Sequence, residues 1–290
     1  MSKLSFSGHD SFICKQFWLK KGYDFVLSEK KFTAETAVVD LGVGKNMVSS
    51  IRYWLKSFGL TDNNDNLVGL ADYIFGAKGK DPFIEDIGTL WLLHYQLIVT
   101  GKASLYSIIF NQFRKEKPDF TKAKLHSFAK RKCLESDSNY TENTVDSDIA
   151  VFLKNYVKPK EGKINIEDDY LGLLQDLNLI KQYRLANIDD KQTEWYKIEN
   201  EIRDDLPYQL VLYAIIDNNS YSNTISFNEL KEGFNSPGSV FALSKNCLFN
   251  KIEEIIKNYP QITFSETAGN QVLQIKSKPT QFDVLNGYYK

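Results

Sequence analysis

Apolar positions along the chain recur mostly at helical spacing, with a few short alternating runs between them. In "SFICKQFWLKKG" positions 12, 13, 17, 18 and 19 are apolar and a glycine follows, which predicts a helix closing at Gly22. Thr33 is placed to cap a short helix with Ala34, Ala37, Val38 and Leu41 on one face. Gly42 and Gly44 then permit a tight turn with unusual dihedrals. Met47, Val48, Ile51, Trp54, Leu55 and Phe58 follow at helical spacing, so a second helix buries that stripe and ends at Gly59. Beyond it "LTDNNDNLVGL" sets two short apolar runs around an Asn/Asp turn, the pattern of a small hairpin. Helix, tight turn, helix and hairpin is the order of a winged helix-turn-helix.

From Asp86 to Phe113 the chain is so apolar that two helices there must be largely buried. "DFTKAKLHSFAKRKCLE" predicts a helix capped by Thr121, with Leu125, Phe128 and Ala129 inward and most of its cations outward. "TVDSDIAVFLKNYVKP" is a further amphipathic helix closed by Pro159. The polar stretch "KPKEGKINIE" is the best domain boundary. Past it, "EDDYLGLLQDLNLI" reads as a helix, and a hairpin turns around Asn187 to Gln192. Pro207 opens another helix, "ISFNELKEG" gives a short one, and Ser244 caps a third. A last hairpin turns at Ala268 to Asn270, and the irregular insertion "FNSPGSVFAL" stands where the tight turn of the first unit was. The expectation is a mainly α fold with small β hairpins: tandem winged helix-turn-helix units around a helical middle, divided as 1–75, 76–160 and 161–290.

With the apolar stripe of the second helix buried, Lys45, Asn46, Ser49, Ser50, Arg52, Tyr53 and Lys56 are left outside, and none is acidic. Such a face can enter a major groove and meet base edges and phosphates together. Charge by segment points the same way although the net charge is only −1. Residues 1–60 carry nine Lys or Arg against five acids and 114–132 carry eight against two, while 161–206 reverse the sign with twelve acids against six. Lys122, Lys130, Arg131 and Lys132 are therefore a second set of nucleic-acid candidates, against the plain alternative of a solvated charged helix. The third helix of the C-terminal unit mixes Lys245, Lys251 and Lys257 with Glu253 and Glu254, which favours protein contact there over DNA reading.

A catalytic constellation is harder to find. His9-Asp10 could begin a metal-dependent phosphohydrolase site, but only His94 and His126 remain as further histidines, so His9 reads as structural. His94 reads as a hydrogen-bonded core residue, and His126, on the basic helix, could touch phosphate. Pro118-Asp119 with Glu161-Gly-Lys163 imitates a nuclease motif, yet those pieces read as a helix entry and a linker. "GVGK" lacks the earlier glycine and the hydroxyl residue of a phosphate loop. Cys14, Cys133 and Cys247 lie far apart with no CxxC, so no thiolate zinc site, metal or cofactor is expected. The longest apolar run, "LWLLHYQLIV", is too short and too interrupted to span a bilayer, which implies a cytoplasmic protein without a membrane partner.

The blocks "FSGHDSF", "LGVGKNMVSSIRYWLKSFGL", "DPFIEDIGTLWLLHY", "FLKNYV", "SPGSVFALSKNCL" and "TAGNQVLQI", in that order, resemble the bacterial domain-of-unknown-function family DUF4007 over residues 6 to 276. The resemblance implies a setting in DNA phosphorothioate-modification and phage-defence gene clusters, beside sulfurtransferase-type and ATPase proteins. It carries no catalytic motif to transfer. A DNA-binding accessory subunit on duplex DNA is the leading expectation, with a protein assembly subunit as the alternative and a nicking enzyme or operon repressor behind it.

Overall fold

The computed structural model describes residues 3–159, 172–186, 192–267 and 269–289. It divides into two compact units, residues 1–198 and 199–290, each mainly helical with one small antiparallel sheet. No helix among the described residues is long and apolar enough to cross a membrane.

The first unit opens with α1 (Trp18–Leu27), α2 (Ala37–Leu41) and α3 (Lys45–Ser57). Helix α1 begins later than its pattern predicts and runs through Gly22 instead of ending there. The reason is packing: a Cβ on Gly22 would stand 2.7 Å from Leu55 and 2.8 Å from Ile51, so the missing side chain lets α1 close on α3. Glycine weakens a helix interior by about 0.5–1 kcal/mol, and the contact offsets that. Thr36, not Thr33, precedes α2, with no side-chain cap. Ala37 and Leu41 are buried, whereas Ala34 and Val38 face solvent. Ala37 and Leu41 join Phe25 and Val48 in one buried cluster.

Gly42 closes α2 in the left-handed region (φ 61°) as the turn demands. Gly44 is ordinary extended backbone ahead of α3. At the far end of α3, Gly59 is left-handed (φ 64°), as its C-terminal position implies. The expected hairpin after it is reduced to a single bridge, Thr61 to Leu67, with the Asp62 carboxylate accepting from the backbone N–H of Asn64 and Asn66. That bridge leads into α4 (Gly69–Phe75).

Helix α5 (Ile87–Val99) is buried on nearly every side and is capped by Asp86, which accepts from Gly88 N at 2.7 Å. Helix α6 (Ser104–Ile108), a π turn (Ile109–Phe113) and α7 (Arg114–Glu116) complete the apolar middle. Helix α8 (Lys122–Glu135) is capped by Thr121 and packs on α9 (Glu142–Tyr156). The boundary segment 158–167 lies outside the described residues apart from Lys158 and Pro159. Of the helix expected over 167–180, residues 167–171 also lie outside, and the remainder forms only a 3-10 turn, Gln175–Leu177, stopped by left-handed Asn178. Strands β2 (Lys181–Ala186) and β3 (Gln192–Lys197) pair as expected, and β1 (Asp119–Phe120) adds to β3 in the order β1-β3-β2. The hairpin's turn, 187–191, lies outside the described residues.

The second unit runs α10 (Tyr208–Asp217), β4 (Thr224–Ser226), α11 (Phe227–Glu232), α12 (Pro237–Val240), α13 (Lys245–Asn258), β5 (Ile262–Thr267), β6 (Asn270–Ile275) and α14 (Gln281–Tyr288). Its sheet has the order β4-β6-β5. The stretch 234–243 is not irregular, because Ser236 caps a turn of helix with Pro237 in its first position. Helix α14 follows a capping box of Thr280 and Asp283 and packs on α10.

Candidate nucleic-acid interface

Helix α3 begins in the open. Nothing stands within 4 Å of where a Cβ would sit on Gly42 or Gly44, and Lys45, Asn46 and Ser49 are exposed. The rest of the expected outer face is used internally. Ser50 is fully buried, since the inward face of α3 is wider than its apolar stripe and also takes in Ser57. Tyr53 is half-buried, its ring lying directly against Gly8 and edge-on to His9 at 5.8 Å. Burial and the nearby Asp148 carboxylate push the Tyr53 phenol far above its ordinary range.

Arg52 and Lys56 converge on Asp65 in the loop after α3. The guanidinium donates from Nε and Nη2, at 2.9 and 2.7 Å, and Lys56 Nζ stands 2.8 Å from the same carboxylate. Lys56 also donates to Asn63 O at 2.9 Å. Burial pushes the Asp65 carboxyl up, but Arg52 and Lys56 outweigh it and hold the group below the usual carboxylate range, while Asp65 in turn raises Arg52. Sequence reasoning found the cations and missed their acid partner. The only available signal was an aspartate within the Asn/Asp turn, nine residues after Lys56 and thirteen after Arg52.

The basic helix is answered in the same way. Lys130 pairs with Glu142 at 2.7 Å, Arg131 with Glu116 at 2.8 Å, and Lys132 with Glu135 at 2.7 Å. Lys122 is exposed at the start of α8. His126 faces carboxylates, with Nε2 3.0 Å from Glu142 and 3.7 Å from Asp146, which disfavours an added phosphate. Helix α8 packs on α9 and α3 on α1 and α2, so the two basic segments ride on different helix packings.

His9 and Asp10 part company. His9 is buried, stacked on Trp54 with ring planes 10° apart, and its Nε2 lies 3.2 Å from Asp148 Oδ1, whereas Asp10 is exposed. His94 is a core residue whose Nδ1 shares a hydrogen bond with Tyr156 OH at 2.7 Å. Asp119 lies on a paired strand, not at a helix entry, and the Glu161 to Lys163 piece lies outside the described residues. Lys45 follows a helix and a turn, not the strand a phosphate loop requires. The three cysteines are buried free thiols, and burial raises Cys14 and Cys133.

These features define a mainly helical protein with an open, acid-free first turn on α3 and small antiparallel sheets. The chain belongs to the family described as protein of unknown function (DUF4007), whose model matches residues 6–289. No curated protein matches it. Among solved structures it is similar to a magnesium-ion-bound crystal structure of SspB, at 26% identity and a TM-score of 0.84, covering 98% of this chain and 88% of that one. A second SspB crystal structure matches at 26% identity and a TM-score of 0.82 with the same coverage. Among the described residues of this chain no three His, Cys, Asp or Glu side chains gather where they could hold a metal ion.

Proposed function

We propose that this protein is a DNA-binding accessory subunit of a bacterial DNA sulfur-modification or phage-defence system, holding sulfurtransferase-type and ATPase-type partners on duplex DNA. The setting is the one the family resemblance implies, and the likeness to SspB fits it. The observation that supports DNA contact is the exposed turn of Lys45, Asn46 and Ser49 behind two glycines that leave room for a close approach. On this reading α2, α3 and the bridged loop act as a winged helix, with α3 presenting its first two turns rather than its whole length.

Binding of purified protein to duplex DNA, plain and sulfur-modified, measured against salt, tests the reading. Neutralising about three phosphates gives a log-log slope near −2.7. A flat response, or no binding at low salt, overturns it.

One observation favours the assembly alternative. Val39, in α2 beside the proposed reading helix, is 83% exposed, and Val38, Phe17 and Phe83 of the same unit are exposed as well. Exposed apolar side chains such as Val39 can be covered by a protein partner. Under that reading Val39→Asp detaches a partner in co-purification and leaves duplex binding unchanged.

A further inference from the structure

The sheet β1-β3-β2 carries on one face a chemistry that the duplex reading leaves unused. Residues directly opposite one another in an antiparallel pair share a face, and faces alternate along each strand. Tyr183 stands opposite Trp195 and Lys181 opposite Lys197, so these four share one face. Tyr196 takes the other face, buried with its ring 5.8 Å from that of Phe120.

The rings of Tyr183 and Trp195 are 21° from parallel with centroids 6.5 Å apart, and both residues are half-buried. From the first turn of α8, Lys124 lies over the indole with Nζ 4.0 Å from the ring centroid. Lys124 thus lies on one of the two flat rings, and Lys181 and Lys197 share their face of the sheet. Asp119 faces them too, accepting from Tyr183 OH at 2.6 Å and standing 3.9 Å from Lys197. Arg184 and Glu194 sit opposite each other on the other face, 3.4 Å apart.

The geometry points to this face as a binding surface for an unpaired nucleic-acid strand. Its bases stack on Trp195 and Tyr183 while its phosphates meet the three lysines. Every base has a π face, so aromatic platforms inside a basic border hold single strands with little sequence preference. The lysine over Trp195 marks the electron-rich face on which a base would lie. Its flexible stem lets the ammonium move aside to the adjoining phosphate. In a duplex each base face is already covered by its neighbour, so the rings add nothing there and the surface discriminates against paired DNA. The inference does not rest on α3 reading duplex DNA, and its test keeps the two apart.

Of the four tryptophans, Trp18, Trp54 and Trp91 are at most 5% exposed, so a change in intrinsic fluorescence on adding a strand reports Trp195. The full chain is titrated with oligothymidine of about 12 nucleotides, a length within the usual site size, and with a duplex of equal length. Oligothymidine should quench the fluorescence. Trp195→Leu should weaken its binding at least about fivefold, the low end for losing one stacked base. Trp195→Phe should bind like wild type without the quench. Lys124→Ala, at an exposed position, should weaken single-strand binding in a chain whose fold is untouched. Duplex binding should be unchanged in all three and reduced only by Lys45→Glu, which should leave single-strand binding intact. Failure of oligothymidine to bind, binding indifferent to both Trp195→Leu and Lys124→Ala, or equal loss of single-strand and duplex binding would overturn the proposal. Failure of the wild-type chain to bind duplex, with single-strand binding intact, would overturn only the α3 reading.

Discussion

Arg52, within α3, holds Asp65 of the following loop, thirteen positions on in the sequence, through two nitrogens, Nε at 2.9 Å and Nη2 at 2.7 Å. A fork of this kind is the strong form of an ion pair and orients both partners. It also means that the charge α3 can offer a phosphate depends on a residue outside the helix.

Asp65→Asn should therefore tighten duplex binding. Freeing Arg52 and Lys56 for one or two further phosphates steepens the log-log salt slope by about 0.9–1.8. Electrophoretic mobility or anisotropy at several salt concentrations reads this out. An unchanged slope would mean that this end of α3 stays away from DNA.

The same pair sets a pH dependence. Asp65 is held below the usual carboxylate range, so its folded pKa lies beneath the unfolded value of about 3.9. A depressed folded pKa contributes stability in full above the unfolded value and loses it as pH falls through the folded one. The Tm gap between wild type and Asp65→Asn should stay constant from about pH 7 to 5 and close below about pH 4. The pair is partly exposed, so the gap corresponds to only about 0.2–1 kcal/mol.

Asn46→Ala and Lys45→Glu, at exposed positions, should shift stability by less than about 0.5 kcal/mol. Asn46→Ala should still weaken duplex binding, by about 1–3 kcal/mol if a base contact is lost. Trp54→Ala should reverse the pattern. Its side chain is fully buried and donates to Phe12 O at 3.2 Å, so truncation costs about 3–5 kcal/mol of stability. Paired denaturation and binding curves for each variant separate the outcomes.

Gly8→Ala should destabilise the first unit. Its new methyl would overlap the Tyr53 ring, and overpacking of this kind costs about 1–3 kcal/mol. Urea unfolding at unchanged m-value is the measurement, and a neutral result would show that the segment around Gly8 lifts away easily.

Helix α3 was legible because thirteen residues repeat one apolar stripe between two glycines, and α8 and α13 because Thr121 and Ser244 announce them, whereas the Thr141 cap of α9 stands three residues ahead of the apolar pattern that marked that helix. Gly22 misled because in sequence a glycine that ends a helix looks the same as one that lets two helices touch. Ser50 misled because a buried hydroxyl carries no apolar mark. The charge partners of α8 were hidden for another reason. Glu116 and Glu142 sit fifteen and twelve residues from the cations they meet, and only the fold brings them together. The basic surplus at 114–132 was visible, and its neutralisation was not.

The N-terminal segment that backs α3 is fastened by backbone N–H groups to distant parts of the chain. Leu4 donates to Ser138, Ser7 to Asp148 and Cys14 to Asn155, spans of 134, 141 and 141 residues. Contacts so far apart in sequence form late, because the intervening loop must close first. During synthesis residues 4–14 must then wait for α9 before they find their place. Until that moment Trp54 lacks both its acceptor, Phe12 O, and the stacked ring of His9, so the back of α3 is a surface that a chaperone can hold.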